Sequence, residues 1–192
     1  MNPLSIRYAP LTGGTAVWIF MGVEVLTFGL FLLGHAWGWR AEPQVFAESQ
    51  ALLHPVSGVR GTLLLLVGSG LVVQGVLANH ADRPQAAMGW LLAGAAAGLL
   101  FSVNKLLEYA DPALAHVTLS TNSFWFSYLF LTGLHLLHVL GGVGILAVLA
   151  WRLRAGVYGP TNALGVEAGA AYWHLVDIIW VLLFPILYLM HP

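Results

Sequence analysis

The chain has 192 residues, of which 59% are hydrophobic and only 8% are charged, with a formal net charge of −1 and no cysteine. Because a soluble globular domain carries about 25% charged residues, so few charges cannot cover a water-facing surface. The small net charge and the lack of a basic run argue against a nucleic-acid partner. The lack of cysteine excludes disulfides, thiolate metal sites, iron–sulfur clusters and cysteine nucleophiles.

Five long apolar segments follow one another along the chain. A run of about 20 apolar residues is enough to cross a bilayer as a helix. The sequence therefore predicts an all-α polytopic membrane protein, a bundle of five transmembrane helices that forms a single domain over residues 1–192. The predicted helices are Thr15–Trp37, Val59–Asn79, Ala86–Tyr109, Ser123–Trp151 and Ala168–Met190.

Turn-forming residues separate the predicted helices. Asp82–Pro84 forms a short turn, and Asp111–Pro112 ends the third helix because proline disfavours helix at the residue before it. Residues 120–122 (Ser-Thr-Asn) offer N-caps for the fourth helix. The longest loop, residues 40–58, contains a mildly amphipathic segment, VFAESQALL, that is predicted to lie at the membrane interface.

Positive charges near the helix ends predict the orientation. Arg7, Arg83, Arg152 and Arg154 fall on the side of the N-terminus, against Arg40, Arg60 and a third candidate, Lys105, on the other side. The excess favours a cytoplasmic N-terminus and an external C-terminus.

Small residues mark two helix surfaces that can approach a neighbour closely. They are Gly94-Ala-Ala-Ala-Gly98 on the third helix, and Gly141, Gly142 and Gly144 on the fourth. Membrane helices pack through such surfaces because lipid supplies no hydrophobic force between them. Packing within this bundle is the favoured interpretation, and a contact with another subunit is the alternative.

Glu24 lies about ten residues into the first predicted helix, near the middle of the membrane. A charge there costs about 2.5 kcal/mol or more, so an acid inside a span needs a partner or a function. A proton relay and a contact with a lipid headgroup are the functional interpretations. A neutral acid that donates one hydrogen bond to a neighbouring helix is the structural alternative.

Lys105 and Glu108 are three residues apart, which makes them neighbours on one face of the third helix. They are predicted to form an ion pair near its end, although Lys105 could instead reach Glu24. A structural pair is favoured over a functional one, because pairing by itself makes a buried charge tolerable.

Histidines repeat the same spacing on the last two helices, as His135 with His138 and as His174 with Asp177. Three imidazoles and a carboxylate could in principle hold a metal ion, and a single histidine could hold haem. The pattern is weak, however, because neither the Glu-x-x-His pairs of di-iron bundles nor an HExxH motif is present. Interhelical hydrogen bonding without metal is favoured. Glu167 opens the fifth helix, where a carboxylate suits the helix N-terminus.

No nucleophile–base pair, phosphate-binding glycine loop or catalytic carboxylate pair is evident in the sequence. The residues by themselves therefore indicate a helical membrane bundle with a polar interior. A transporter, a channel and an accessory subunit all stay open at this point.

Four segments resemble the signature segments of haem–copper oxidase subunit III, the third core subunit of cytochrome c oxidase. They are TGLHLLHVLGG (Thr132–Gly142), GVEAGAAYWHLVDIIW (Gly165–Trp180), WIFMGVEVLTFGLF (Trp18–Phe31) and KLLEY (Lys105–Tyr109). The resemblance extends over nearly the whole chain, and its EAG…WH.VD..W pattern is specific. Glu24 stands where that family has a buried glutamate that reacts with carbodiimide.

The sequence departs from that family in two ways. The family's mitochondrial members have seven helices, and their first two form one arm of a lipid-filled cleft, whereas this sequence predicts five. Three segments are more similar to a short accessory branch of the family that is found with nitric oxide reductase. They are TNSFWF (Thr121–Phe126), TGLHLLHV and KLLEY.

The resemblance implies a non-catalytic subunit that packs against catalytic subunit I in a bacterial plasma membrane. It implies support of proton uptake and of complex stability, with haem and copper in the partner subunits, no cofactor in this chain, and room for bound phospholipid. Glu24, Glu108, His135, His138, Glu167, His174, Asp177 and Trp180 match the motif positions. One interhelical polar cluster is expected to contain His135, His138, Glu167, His174, Asp177 and Trp180. Proton or lipid contact is assigned to Glu24, Lys105 and Glu108. An independent small proton or solute transporter is the alternative function.

Overall fold

The computed structural model describes residues 14–111 and 114–190, so Arg7 and Pro112 lie outside the described residues. The described residues form six α-helices: α1 (Thr15–Ala41), α2 (Pro43–Gln50), α3 (Pro55–His80), α4 (Pro84–Tyr109), α5 (Ser123–Arg154) and α6 (Leu164–Tyr188). All of these helices except α2 are long and apolar enough to cross a membrane. The chain is a multi-pass membrane protein, and the predicted all-α fold with five spans is confirmed.

The helices begin where local chemistry favours a helix N-terminus. Pro43, Pro55 and Pro84 each open a helix, where the missing N–H of proline costs nothing. Asn122 caps α5, because its side chain accepts a hydrogen bond of 2.9 Å from the backbone N–H of Trp125. As a result α3 begins four residues earlier than predicted, at a proline that the hydropathy pattern had left in the loop.

The five spans alternate in direction and so define two sides of the molecule. Helices α1, α4 and α6 begin on side 1, and helices α3 and α5 begin on side 2. Contacts at the ends agree with this arrangement. On side 1, His80 at the end of α3 meets Glu167 at the start of α6. On side 2, Ser123 at the start of α5 donates a hydrogen bond to Glu42 beyond the end of α1.

The amphipathic segment of the long loop forms helix α2, which packs inward on side 2. Phe46 is buried between the rings of His35 and Phe124, with centroid distances of 5.1 and 5.4 Å. Gln50 donates a hydrogen bond of 3.0 Å to the carbonyl of Leu187 at the end of α6. Helix α2 therefore connects the side 2 ends of α1, α5 and α6.

Glycines bring α3, α4, α5 and α6 close together around Trp173. A Cβ atom at Gly98 would lie 2.5 Å from Trp173 Cη2, and one at Gly142 would lie 3.0 Å from Trp173 Cε3. A Cβ atom at Gly94 would lie 2.7 Å from Val72 of α3. The favoured interpretation of these glycines, packing within the bundle, is therefore confirmed at these positions, whereas Gly144 faces open space.

Helix α1 stands apart from this core. Only 6% of the most apolar 18-residue stretch of α1 is buried within the protein, compared with 33–50% of the corresponding stretches of the other four spans. Two grooves of about 410 and 480 Å³ flank its side 2 half, and both are lined by His35 and Phe46. Most of its surface is therefore left to the membrane or to other molecules.

Candidate functional site

A buried ion pair lies near the side 2 end of the bundle. Lys105 Nζ is 3.2 Å from Glu108 Oε1, and the two side chains are 1% and 3% exposed. The predicted ion pair is therefore confirmed. Lys105 does not reach Glu24, which instead contacts a histidine of α5.

Donors from three other helices surround the Glu108 carboxylate. The hydroxyl groups of Tyr128 on α5 and Tyr188 on α6 each donate to Oε1 at 2.5 Å. The Ser57 hydroxyl on α3 donates to Oε2 at 2.7 Å. These residues, Ser57, Lys105, Glu108, Tyr128 and Tyr188, are called the lysine–glutamate cluster below. The cluster joins α3, α4, α5 and α6 at one point.

Aromatic rings and phenol oxygens enclose the ammonium group of Lys105. Its Nζ donates to the hydroxyl groups of Tyr128 at 2.9 Å and Tyr188 at 2.5 Å. It also lies 4.7–5.5 Å from the ring centroids of Tyr109, Tyr128, Trp180 and Tyr188. Such rings attract a desolvated cation. Hydrogen bonds, ring faces and the carboxylate thus stabilise the lysine charge together, which suits a structural role.

The lysine and the glutamate of this cluster were predicted from the sequence, but their phenol partners were not. A usable signal was present, because Tyr128, Tyr188 and Lys105 all lie within about two turns of the side 2 ends of their helices. A buried carboxylate needs several donors, and phenols at the same depth are the natural candidates.

Glu24 of α1 contacts His138 of α5 near the middle of the membrane, with 3.1 Å between Glu24 Oε2 and His138 Nε2. The other ring nitrogen, Nδ1, is 2.8 Å from the carbonyl oxygen of Leu134. Because a carbonyl only accepts, Nδ1 carries a proton, and Nε2 is the ring nitrogen that faces the carboxyl group. The contact therefore joins a carboxyl group of α1 to an imidazole of α5.

His135 takes a different direction from His138, although both belong to the same motif. Three residues correspond to 300° of rotation, so the two side chains point about 60° apart around α5. The His135 ring is fully buried and packs against Trp180 at 5.2 Å and Phe101 at 5.6 Å between centroids. Its two nitrogens have no hydrogen-bond partner among the described residues. His135 therefore contributes to the aromatic core.

Three polar contacts join α3 and α6 along their length. From side 1 to side 2, they are His80 Nε2 with Glu167 Oε1 at 3.1 Å, Ser69 Oγ with His174 Nδ1 at 2.7 Å, and Trp180 Nε1 with Thr62 Oγ1 at 3.0 Å. Asp177 lies beside the central contact, with its Oδ2 4.0 Å from His174 Nδ1. These contacts are called the α3–α6 seam below.

The predicted single cluster of His135, His138, Glu167, His174, Asp177 and Trp180 does not form. The residues contact α1, α3 and the aromatic core separately, because side chains three residues apart still point about 60° apart around the helix and can therefore meet different partners. Among residues 14–111 and 114–190, no three histidine, aspartate or glutamate side chains converge in a way that could hold a metal ion. The four groups that the sequence left open as metal ligands are thus divided among three places: His135 in the aromatic core, His138 at α1, and His174 with Asp177 at α3.

Two further histidine contacts were not anticipated. His35 Nδ1 is 2.7 Å from Ser127 Oγ and so links α1 to α5, and His54 Nε2 is 3.3 Å from Asp111 Oδ2 on the side 2 surface. Together with the Glu24–His138 pair, the His35–Ser127 contact shows that α1 is held to the bundle through polar contacts at two depths.

Fold and site together define a class of protein: a polytopic helical membrane bundle whose intramembrane polar groups mostly bind one another. Comparison with known proteins gives the family. Residues 54–191 match the family described as cytochrome c oxidase subunit III. Because this match covers more than half of the chain, the protein belongs to that family.

Individual relatives agree with the family match. The chain is 32% identical over 149 residues to cytochrome c oxidase subunit 3 of Synechocystis sp., a region that covers 77% of this chain and 61% of that relative. It is 30% identical over 174 residues to cytochrome c oxidase subunit 3 of Alkalihalophilus pseudofirmus, which covers 90% of this chain and 84% of that relative. It is also 30% identical over 182 residues to a haem–copper oxidase subunit I+III of Aeropyrum pernix, which covers 91% of this chain and 22% of that relative. The chain thus spans about three-fifths of the Synechocystis relative.

Proposed function

We propose that the chain is the non-catalytic subunit III of a haem–copper oxidase complex and packs against its catalytic subunit I. The family match over residues 54–191 carries this proposal. The Aeropyrum pernix relative, whose name joins subunits I and III in one protein, supports a position beside subunit I. Relatives in Synechocystis sp. and Alkalihalophilus pseudofirmus support a bacterial plasma membrane as the location.

In the proposed complex, haem and copper reside in the partner subunits and this chain contributes no redox centre. The contacts that its histidines make within the chain support this assignment. His138 contacts Glu24, His174 contacts Ser69, and His135 packs between two aromatic rings.

The proposed orientation places side 1, with the N-terminus, in the cytoplasm. Lys105 was a third candidate for positive charge on side 2, but it is fully buried and paired with Glu108. It therefore contributes nothing to the loop charges that guide insertion. Without Lys105, the positive charges near the helix ends on side 2 are fewer, so the excess on side 1 is larger. That excess includes Arg83, Arg152 and Arg154.

The Glu24–His138 pair is the proposed point at which the subunit supports proton uptake. The pair brings a carboxyl group and an imidazole together inside the span and joins the loosely packed α1 to α5. Phospholipid acyl chains are the proposed occupants of the two grooves beside α1. The grooves are lined mainly by apolar side chains such as Phe31, Leu33 and Trp37.

Purification in mild detergent tests this proposal. An affinity tag on this chain should bring down a haem protein, and mass spectrometry should identify it as an oxidase subunit I. A nitric oxide reductase in its place would move the chain to the nitric-oxide branch of the family. Purification of the chain alone, together with proton or solute transport in liposomes, would overturn the proposal in favour of a transporter.

Replacing Glu24 with glutamine is expected to lower proton-coupled turnover modestly while the complex still assembles. Glutamine keeps the size of the side chain and can still form hydrogen bonds, but it cannot take up or release a proton. Oxygen consumption and proton release by the reconstituted complex provide the measurement. Glu48→Gln is the matched control, because Glu48 is exposed on α2. Normal turnover and pumping by the Glu24 variant would remove the pair from any role in proton uptake.

A further inference from the structure

A cavity of about 340 Å³ opens on side 2 between the start of α3 and the end of α4. One wall belongs to α3, with Val56 and Arg60, and the other belongs to α4, with Asn104 and Leu107. Among the described residues, it shares none of its lining with the two grooves beside α1. Its volume is within the usual range for a pocket that binds a small molecule. This cavity is called the α3–α4 pocket below.

The α3 wall of this pocket is positively charged. The exposed guanidinium group of Arg60 makes no hydrogen bond or ion pair with another described residue. Pro55 and Val56 form the first turn of α3, and the N-terminus of a helix carries about half a positive charge. An anionic group that enters the pocket is therefore attracted to this wall.

The α4 wall carries the opposite charge. Asp111 lies two residues beyond the end of α4, and its Oδ2 is 3.3 Å from Nε2 of His54 at the start of α3. The side-chain amide of Asn104 donates a hydrogen bond of 3.0 Å to the carbonyl of Ser57, and no described residue donates to its Oδ1. The C-terminus of α4 adds a partial negative charge. A cationic group is therefore attracted to this wall.

Glu108 also lines the α3–α4 pocket, but its charge is balanced within the protein. Its carboxylate is paired with Lys105 in the lysine–glutamate cluster. The charges left to act on a ligand are the guanidinium of Arg60 on one wall and the carboxylate of Asp111 on the other. A purely anionic ligand is repelled by Asp111 and a purely cationic one by Arg60, so a zwitterion fits the field of the pocket best.

An apolar track leads from the α3–α4 pocket towards the middle of the membrane. Val67 lies seven residues after Arg60 on α3, which places it on the same helix face and about 10 Å deeper. On α4, Leu100 lies four residues before Asn104 and therefore also shares its face. Val67, Leu100 and Leu107 are all exposed, so an apolar chain can follow both helices inwards from the pocket.

We propose that the α3–α4 pocket is a specific site for one phospholipid with a zwitterionic aminoethyl phosphate headgroup. The phosphate binds Arg60 on the α3 wall, and the ammonium group binds Asp111 on the α4 wall. An acyl chain continues past Val67 and Leu100, which favours a lipid over a soluble molecule with the same headgroup. The site is separate from the grooves beside α1, and it goes beyond the proposed function because it depends on no partner subunit.

Native mass spectrometry of the full chain in detergent tests this proposal. The chain is titrated with phosphatidylethanolamine and, separately, with phosphatidylglycerol that has identical acyl chains. Because only the headgroup differs, a difference in affinity reports on headgroup recognition. We expect phosphatidylethanolamine to bind several-fold more tightly. Equal affinities, or tighter binding of phosphatidylglycerol, would overturn the proposal.

Arg60→Gln tests the phosphate contact. Both lipids carry the phosphate, so the variant should bind each of them about five-fold more weakly, the change expected for one basic residue at a membrane surface. Arg154→Gln is the matched control, because it removes the same charge from an exposed position at the side 1 end of α5. If Arg60→Gln binds phosphatidylethanolamine as tightly as the control does, the proposed site is wrong.

Asp111→Asn tests the ammonium contact and has a different signature. It should weaken the binding of phosphatidylethanolamine and strengthen that of phosphatidylglycerol, so that the preference between the two lipids is lost. Asp82→Asn, in the exposed turn on side 1, is the matched control and should keep the preference. Asp111 and Arg60 lie at the surface, so both variants should keep the thermal unfolding temperature of the unmodified chain. An unchanged preference in Asp111→Asn would overturn the assignment of a zwitterionic headgroup.

Two further measurements locate the bound lipid and identify its source. Phosphatidylethanolamine with a diazirine in one acyl chain should label Val67, Leu100 or Leu107 on illumination, as identified by peptide mass spectrometry. Labelling confined to α1 would overturn the proposed site. Free phosphoethanolamine should not displace the lipid, because it lacks the acyl chain that follows the apolar track. Displacement by an equal concentration of phosphoethanolamine would show that the pocket binds a soluble molecule instead of a lipid.

Discussion

Replacing Lys105 with methionine is expected to destabilise the folded chain by about 3–5 kcal/mol, because the substitution leaves the Glu108 carboxylate buried without its countercharge. Glu108 is 3% exposed, so water cannot take the place of the ammonium group. Methionine matches the length of the lysine stem and keeps the aromatic enclosure filled, which limits the loss to charge and hydrogen bonding. Thermal unfolding in detergent, followed by circular dichroism, provides the measurement.

The double variant Lys105→Met with Glu108→Gln is the control for this prediction. It removes both charges and leaves an amide whose oxygen can still accept the hydrogen bond from Tyr128, while its NH2 group can donate to the hydroxyl oxygen of Ser57. Replacing a buried ion pair by neutral groups is often far less costly than breaking it, so the double variant should recover much of the lost stability. If it is no more stable than the single variant, the interpretation of the cluster as an electrostatically neutralised structural pair is wrong.

Replacing Trp173 with alanine is expected to cost about 3–5 kcal/mol, the usual range for truncating a large buried aromatic side chain. The indole is fully buried and fills the space that Gly68, Gly98 and Gly142 leave between α3, α4, α5 and α6. Because glycine has no side chain that could move into the vacated volume, the cavity should stay largely open. Chemical or thermal unfolding in detergent measures the loss.

Trp151→Ala is the matched control for the Trp173 variant. Trp151 lies near the side 1 end of α5 and is 68% exposed, so its truncation opens no cavity and should change stability by no more than about 0.5 kcal/mol. Equal losses from the two substitutions would mean that a general loss of aromatic surface matters more than the packing around Trp173.

The membrane class, the five spans and the family resemblance follow from the amino-acid sequence alone. Hydropathy is a sum over neighbouring residues and needs no tertiary information, so Ser123 was correctly predicted as the start of α5. The pairing of Lys105 with Glu108 was predictable for the same reason, because residues three apart on a helix are neighbours whatever surrounds them. The glycines at positions 94 and 98 could likewise be interpreted as packing surfaces from composition alone.

The helices that the remaining polar residues contact depend on how the whole bundle packs. His138 meets Glu24, and His174 meets Ser69, although 114 and 105 positions along the chain separate the members of these pairs. Local spacing fixes the direction of a side chain around its own helix, but the rotation and depth of each helix relative to its neighbours depend on packing of the whole bundle. For that reason the predicted single histidine cluster became several separate contacts, and the phenols of Tyr128 and Tyr188 entered the lysine–glutamate cluster without having been predicted.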